Sequence, residues 1–300
     1  MLKILSILLF ITITDKVSRE ITLPTFPKRI VVLSSDIAET ICALGCKGKI
    51  VGISRFAKSS PFLPERVKNL PSCGDWKAIN LEQIIMLSPD LVILGEGGNA
   101  GEIAKSLKSR GIQVLIICPT NIYELGESIV LLGKILGCEG RAQKLKSFMV
   151  ERAKLITNIV KNSSKPSVYL AGSNPYYTFA KGSAWASLIE LAGGVNVAGK
   201  LNYPWPKISA EILIKWNPEI ILIVGDASYG TEWFINKREL RCIRAIKKGK
   251  VYKLGPYLSW SPRLILALIE MAKYIHPEEC MMLNFEKEKK ELGEIGSLKY

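Results

Sequence analysis

The stretch "LEQIIMLSPDLVILGE" at residues 81–96 returns later in the chain as "AEILIKWNPEIILIVGD" at residues 210–226. In each copy a glutamate, Glu82 or Glu211, stands seven residues before a proline, Pro89 or Pro218, with apolar residues at helical spacing between them. Proline lacks an N–H and crowds the preceding turn, so it stops the helix there. An acid then leads into a continuous aliphatic run and a glycine. A short, continuously apolar run of this kind is the signature of a strand buried on both faces, as in a parallel sheet. Carrying this helix–strand device twice predicts two similar α/β lobes.

Working outward from the first copy, "RIVVLS" and "KIVGIS" read as strands on either side of the helical "DIAETICALG", which ends at Gly45. "LVIL", a helix around "IAKSLKSRG" and the strand "VLIIC" complete a first lobe over residues 27–121, with a mostly parallel sheet covered on both faces. Residues 122–163 carry no strand signal. Apolar residues recur there at helical intervals on both sides of a "GCEG" break, and the second piece is long enough to reach about 30 Å at 1.5 Å per residue. A helix of that length either links two lobes, which then move little relative to one another, or is an ordinary amphipathic helix of one domain. Residues 164–278 repeat the grammar of the first lobe through "SVYLAG", "SAWASLIELAGG", "VNVAG" and the second copy of the device. The helix "PRLILALIEMAKYI" should pack on this lobe, and the charged tail at residues 279–300 need not be ordered.

The chain has 300 residues, 48% hydrophobic and 8% aromatic, which suits two globular cores. Its formal charge of +14 is spread along the chain among acids, as in "FEKEKKE", and so does not mark a nucleic-acid binder. Lys3 and the apolar "ILSILLFITIT" within residues 1–20 read as a signal or anchor segment, with a buried first strand as the alternative. Export follows from the first reading, placing the protein in the periplasm or at the cell surface, with an uncleaved segment serving as an anchor. Seven cysteines without C-x-x-C spacing point to packing rather than zinc, and Cys42 and Cys46 share a helical spacing with no further ligands near them. One bridge stays open.

Catalytic material is scarce. The sole histidine, His276, ends the last helix, so neither a histidine triad nor a multi-histidine metal site can be assembled. "GEGGNA" at residues 95–100 has the form of a dinucleotide turn, but the following strand, "VLIICPT", lacks the partner acid. What the chain offers instead is aromatic residues in Pro- and Gly-rich loops: Phe56, Trp76, Tyr176, Tyr177, Trp205, Tyr257 and Trp260. Each ring buried on a ligand contributes about 1.5–3 kcal/mol, so three supply roughly 5–9 kcal/mol before losses, against the roughly 8 kcal/mol of a micromolar complex. The expected ligand is large and partly flat, held in a cleft between the lobes; alternatively, the rings fill cores.

Taken together, "RIVVLSSDIAETICALGCKGKIVGIS", "CGDWKAINLEQIIMLSPDLVI", "GGNA", "AKGSAWASLIELAGGVNVAG", "YPWPKISAEILIKWNPEIILI" and "SPRLILALIEMAKYIHPE" resemble the helical-backbone substrate-binding proteins of ABC importers for cobalamin and ferric siderophores. The resemblance spans residues 27–277, in order and with matching spacing. It implies the helical-backbone periplasmic binding protein fold, no enzymatic activity, no resident cofactor, and a monomer that hands its cargo to a permease dimer powered by ATPase subunits. It also implies that Glu82 and Glu211, one per lobe, meet arginines on the two permease subunits. The structural alternative is that each is the first-turn acid of a short helix, offsetting its dipole.

The likeness is greatest to the cobalamin-binding members. Phe56, Trp76, Gly97, Gly98, Asn99 and Trp205 occupy the positions that surround the corrin in those proteins, and Tyr176, Tyr257 and Trp260 join them as candidate ligand-binding residues. Where those members carry Asp-Trp and an arginine before "SPR", this chain reads "GPYLSW". A ferric siderophore, with Arg55, Lys58, Lys77 and Lys181 as candidate cations, and haem, with Tyr176 or Tyr177 as axial ligand, are therefore alternative cargoes. More distant readings are a cofactor-dependent α/β enzyme and a surface scaffold.

Overall fold

The computed structural model describes residues 11–14, 20–75, 78–95, 99–296 and 298. The chain divides into two compact units, one built from residues up to 119 with 126–146 and the residues from 293, the other from residues 120–125 and 147–292. In the first, β1 (Ile11–Thr14) pairs antiparallel with β2 (Glu20–Leu23). The described part of the 1–20 segment is therefore strand; residues 1–10 and 15–19 lie outside the described residues.

Next come β3 (Ile30–Val32), α1 (Ser35–Ala43), β4 (Ile50–Ile53), α2 (Glu65–Lys68), α3 (Leu81–Met86), β5 (Leu91–Leu94), α4 (Ala100–Lys108) and β6 (Gln113–Ile116). Strands β3 to β6 form one parallel sheet in the order β4-β3-β5-β6. Alternate residues Val31, Val92, Leu94, Val114 and Ile116 pack with Ile84 of α3 and Ala104 and Leu107 of α4 in one core. Burying Ile84 completely contributes about 1.5–3 kcal/mol, which is what fixes so short a helix to the sheet.

Helix α5 (Ile122–Leu136) and the long α6 (Glu139–Ile159) follow, broken at Gly137 and Cys138 where the sequence places its "GCEG" interruption. The division between the units falls within α6, after Lys146, so this helix gives residues to both.

The second unit runs β7 (Ser167–Ala171), α7 (Ala184–Leu191), β8 (Val195–Asn196), α8 (Ala210–Trp216), β9 (Ile220–Ile223), α9 (Glu232–Ile235), α10 (Arg244–Lys247), β10 (Val251–Lys253), α11 (Leu264–Ile275) and α12 (Phe285–Gly296). Its parallel sheet has the order β10-β9-β7-β8. Numbered within each parallel sheet, both read second, first, third, fourth strand. The repeat visible in the sequence is thus a repeat of topology, and α11 packs on α7 as expected. Strand β10 has no counterpart in the sequence reading: "VYK" is too short to show a period. The charged tail is not loose either. Phe285–Gly296 is helical, and Arg152 of α6 pairs with Glu288 at 2.9 Å and Glu291 at 3.0 Å.

The proline-acid pairs close each unit in the same way. Asp90 Oδ2 accepts from the backbone N–H groups of Lys28 (2.7 Å) and Arg29 (2.9 Å), just ahead of β3. Glu219 Oε2 accepts from the N–H of Ser167 (2.9 Å), the first residue of β7. Before each proline the chain turns through a left-handed residue, Ser88 at φ 43° and Asn217 at φ 47°. The acid that opens the third strand therefore clamps the start of the first.

The Ser167 hydrogen bonds, with Arg244 at 3.2 Å, hold the Glu219 carboxyl below its ordinary 4.5. Because the folded value is the lower one, its contribution is complete above pH 4.5 and is lost as pH falls through the folded value. Glu219→Ala is expected to cost about 1 kcal/mol at pH 7, allowing for partial exposure. The gap in urea midpoint between variant and parent should narrow as the pH is taken below 4.5.

Candidate functional site

In a parallel sheet the loops leaving the carboxyl ends of the strands gather along one edge, and ligands of open α/β folds bind there. Among the described residues, the candidate ligand residues fall on such connections. In the first unit Phe56 follows β4 and is 46% exposed. Asn99 follows β5 at the N-cap of α4, exposed, with no side-chain capping bond. Trp76, Lys77, Gly97 and Gly98 lie outside the described residues.

Beside Phe56, the Arg55 guanidinium reaches the buried Asp75 carboxylate at 2.5 Å and sits 5.0 Å above the Phe56 ring. The main chain of Arg55 is tied to Gly74 by an N–H···O bond of 2.8 Å. Asp75 closes the next turn, accepting from the N–H of Ala78 at 3.2 Å while its own N–H donates to the Ala78 carbonyl at 2.9 Å. Gly74 is obligatory there: it has φ +89°, and a Cβ would lie 2.2 Å from the Ala78 carbonyl oxygen. Asp75 was not among the expected site residues. Its signal is the "CGD" ahead of Trp76, but its partner Arg55 lies twenty residues back.

In the second unit the loop after β7 is pinned from below. The hydroxyl of the fully buried Tyr169 donates to the Pro175 carbonyl at 2.9 Å, and that of Tyr229 donates to the Gly172 carbonyl at 2.6 Å. This sets Tyr176 edge-on to Trp233, ring centroids 5.3 Å apart, and leaves Tyr177 42% exposed. Burial, with Glu239 and Glu211 nearby, raises the Tyr176 hydroxyl above its ordinary value, so it stays protonated.

Trp205 sits on a rail. The carbonyls of the flanking Pro204 and Pro206 accept from the N–H groups of Ala180 (2.9 Å) and Thr178 (3.0 Å), and the indole between them is 51% exposed. Proline has no N–H to lose and a fixed φ, so the strip holds its register while its tryptophan faces outward. Trp260, half-buried after β10, stacks on Trp185 at the start of α7, with centroids 4.9 Å apart and planes 15° apart. Trp185 was not expected at the site; "SAW" at a helix start gives no sign of a partner 75 residues on.

One assignment changes. Tyr257 is only 8% exposed and packs against Phe285, centroids 5.5 Å apart, with Lys289 of α12 over its ring. It belongs to the core under the tail helix, the packing alternative for these rings, because α12 folds over a loop that local sequence marks as open.

Glu82 and Glu211 occupy the same place in the two units. Each is exposed, second in the short helix that leads into the third strand, behind an N-cap whose side chain accepts a backbone N–H: Asn80 from Gln83 (3.0 Å) and Ser209 from Ile212 (3.4 Å). Ser209 also hydrogen-bonds Glu211 and lowers its carboxyl below the ordinary value. Apolar side chains stand exposed beside them, Ile85 (46%) and Met86 (78%) on α3 and Ile212 (41%) on α8.

His276 is 2% exposed, its Nε2 lying 3.1 Å from the Gly193 carbonyl oxygen, a packed helix-end residue. Among the described residues no group of three or more His, Cys, Asp or Glu could hold a metal ion, and no helix is long and apolar enough to cross a membrane.

Paired parallel α/β units, each with rings on its carboxyl-edge loops, define a protein built for binding a solute. The family profile described as periplasmic binding protein matches residues 30–258. The chain is 30% identical over 279 residues to an ABC transporter substrate-binding lipoprotein of Bacillus subtilis, covering 89% of this chain and 86% of that one. It is 29% identical over 211 residues to the vitamin B12-binding protein of Salmonella typhimurium, covering 69% and 77%. Among solved structures, the molybdate periplasmic binding protein MolA of Haemophilus influenzae superposes with a TM-score of 0.86 over 97% of this chain and 99% of that one, at 22% identity, a likeness of fold. The chain belongs to the periplasmic binding protein family. It is a substrate-binding component of an ABC importer, extracytoplasmic, working with permease and ATPase partners, and not an enzyme.

Proposed function

We propose that the cargo is a cobalamin-type corrinoid, gripped by rings that both units carry on their carboxyl-edge loops, and that the loaded monomer docks on its permease dimer through Glu82 and Glu211. The observation that carries the ligand assignment is the division of labour between rings and cations. Phe56, Tyr177 and Trp205 are exposed, whereas two of the cations that a ferric siderophore would need are engaged within the chain. Arg55 is paired with Asp75, and Lys58 Nζ donates to the carbonyls of Leu70 (3.1 Å) and Lys68 (3.4 Å). Apolar, aromatic loops suit a bulky ring system better than a polyanionic chelate. The vitamin B12-binding relative supports the same reading.

Docking is supported by the matched placement of the two acids on equivalent helices, each beside exposed apolar side chains. One carboxylate per unit suits a twofold partner, where such pairs fix register and speed encounter. Titration of intrinsic tryptophan fluorescence with cyanocobalamin, haemin and a ferric siderophore is the test. Saturable quenching by cyanocobalamin at micromolar or lower concentration is expected; saturation by haemin or the siderophore, with none by cyanocobalamin, overturns the assignment.

A further inference from the structure

Cys46 and Cys138 lie 92 residues apart in the chain, yet their sulfurs stand 3.4 Å apart in a hydrogen bond within the first unit. A disulfide needs about 2.05 Å between sulfurs, so closure asks for a movement of roughly 1.4 Å, within reach of side-chain rotation. We propose that this pair is a redox site that closes to a disulfide outside the cytoplasm.

The local structure brings the thiols together and keeps them there. Cys46 is not on the helix with Cys42; it follows the left-handed Gly45 after α1, and its N–H donates to the Ile41 carbonyl at 3.0 Å. Cys138 follows the left-handed Gly137 and opens α6, its carbonyl accepting from Arg141 and Ala142, both at 3.2 Å. Arg141 staples the two turns: a Cβ on Gly45 would lie 2.2 Å from its Nη1, so the guanidinium packs directly on the bare glycine backbone.

The chemistry fits an exchange site. The hydrogen bond with Cys138 lowers the Cys46 thiol to about 7 against the effect of burial, with Lys49 and Arg141 acting the same way, while Cys138 is pushed up. Cys42, four residues from Cys46, is by contrast buried and raised to about 12. Cys46 and Cys138 are only half-buried and open to a reagent. The Cys46 thiolate attacks the disulfide RS–SR of a small-molecule or protein carrier, forming Cys46–S–SR and releasing RS⁻, which takes up a proton. Cys138 then gives its proton to solvent and attacks the Cys46 sulfur, expelling the second RS⁻. Two thiols become one disulfide, and the carrier is reduced to two thiols. The bond ties the α1–β4 turn to the entry of the long helix.

The test uses the full chain carrying Cys242→Ser, which removes the exposed thiol. The reduced protein is equilibrated with oxidised glutathione, then unfolded, alkylated and peptide-mapped. The expected result is loss of two titratable thiols, a peptide joining Cys46 to Cys138, and a thermal midpoint raised by about 5–10 °C, reversed by dithiothreitol. Adding Cys46→Ser or Cys138→Ser should abolish the rise. No joined peptide, a glutathione adduct on Cys46 with Cys138 still free, or a bridge to a different cysteine overturns the proposal.

Discussion

Glu82→Lys and Glu211→Lys together are expected to abolish transport while leaving the dissociation constant for the cargo within about twofold of the parent. On the proposed docking, each reversal replaces an attraction by a like-charge contact and costs about 2–5 kcal/mol where the pair is buried in a complex. A micromolar encounter is worth about 8 kcal/mol, so losing both anchors leaves almost nothing. The two effects separate because both acids are exposed on the first turns of α3 and α8, outside the loops that carry Phe56 and Trp205, although Glu211 is six residues from Trp205. Lysine at a helix N-terminus itself costs about 0.3–1 kcal/mol, so the pair Glu82→Gln and Glu211→Gln serves as the control for helix stability. Uptake of radiolabelled cargo by cells carrying the double lysine variant is the measurement, and unimpaired uptake would refute the docking role.

The second large effect is at Trp205. Trp205→Ala should weaken cargo binding by about 10- to 150-fold, the ratio that corresponds to about 1.5–3 kcal/mol of ring burial. Folding should be little changed, since the indole is half exposed and its strip is held by backbone hydrogen bonds to Ala180 and Thr178 rather than by the ring. Trp205→Phe should recover much of the affinity. Calorimetry on the three proteins decides it: an alanine variant that binds as tightly as the parent places the cargo elsewhere.

The strands β3, β4, β5, β6, β7 and β9, the break between α5 and α6, and the duplication were legible because each is written in local terms: aliphatic runs, helical spacing, prolines and glycines at the ends. The exposure of Trp205 was legible for the same reason, since the prolines on either side keep it outside. Tyr257 was misread because its surroundings come from α12, nearly thirty residues on. Asp75, Trp185 and the pairing of Cys46 with Cys138 were missed because a partner at such a separation leaves no periodic trace.

The copied helix–proline–strand device is a property of the chain itself: proline's missing N–H and the unbroken aliphatic runs dictate two equivalent units before any tertiary contact is known. What those signals cannot state is which distant groups meet. That Asp90 and Glu219 clamp the first strand of each sheet, that Arg152 gathers the charged tail into a helix, and that two thiols come into contact follow from chain segments brought together only when the sheets close, where hydrogen bonds and packing between remote residues outweigh anything their immediate neighbours prefer.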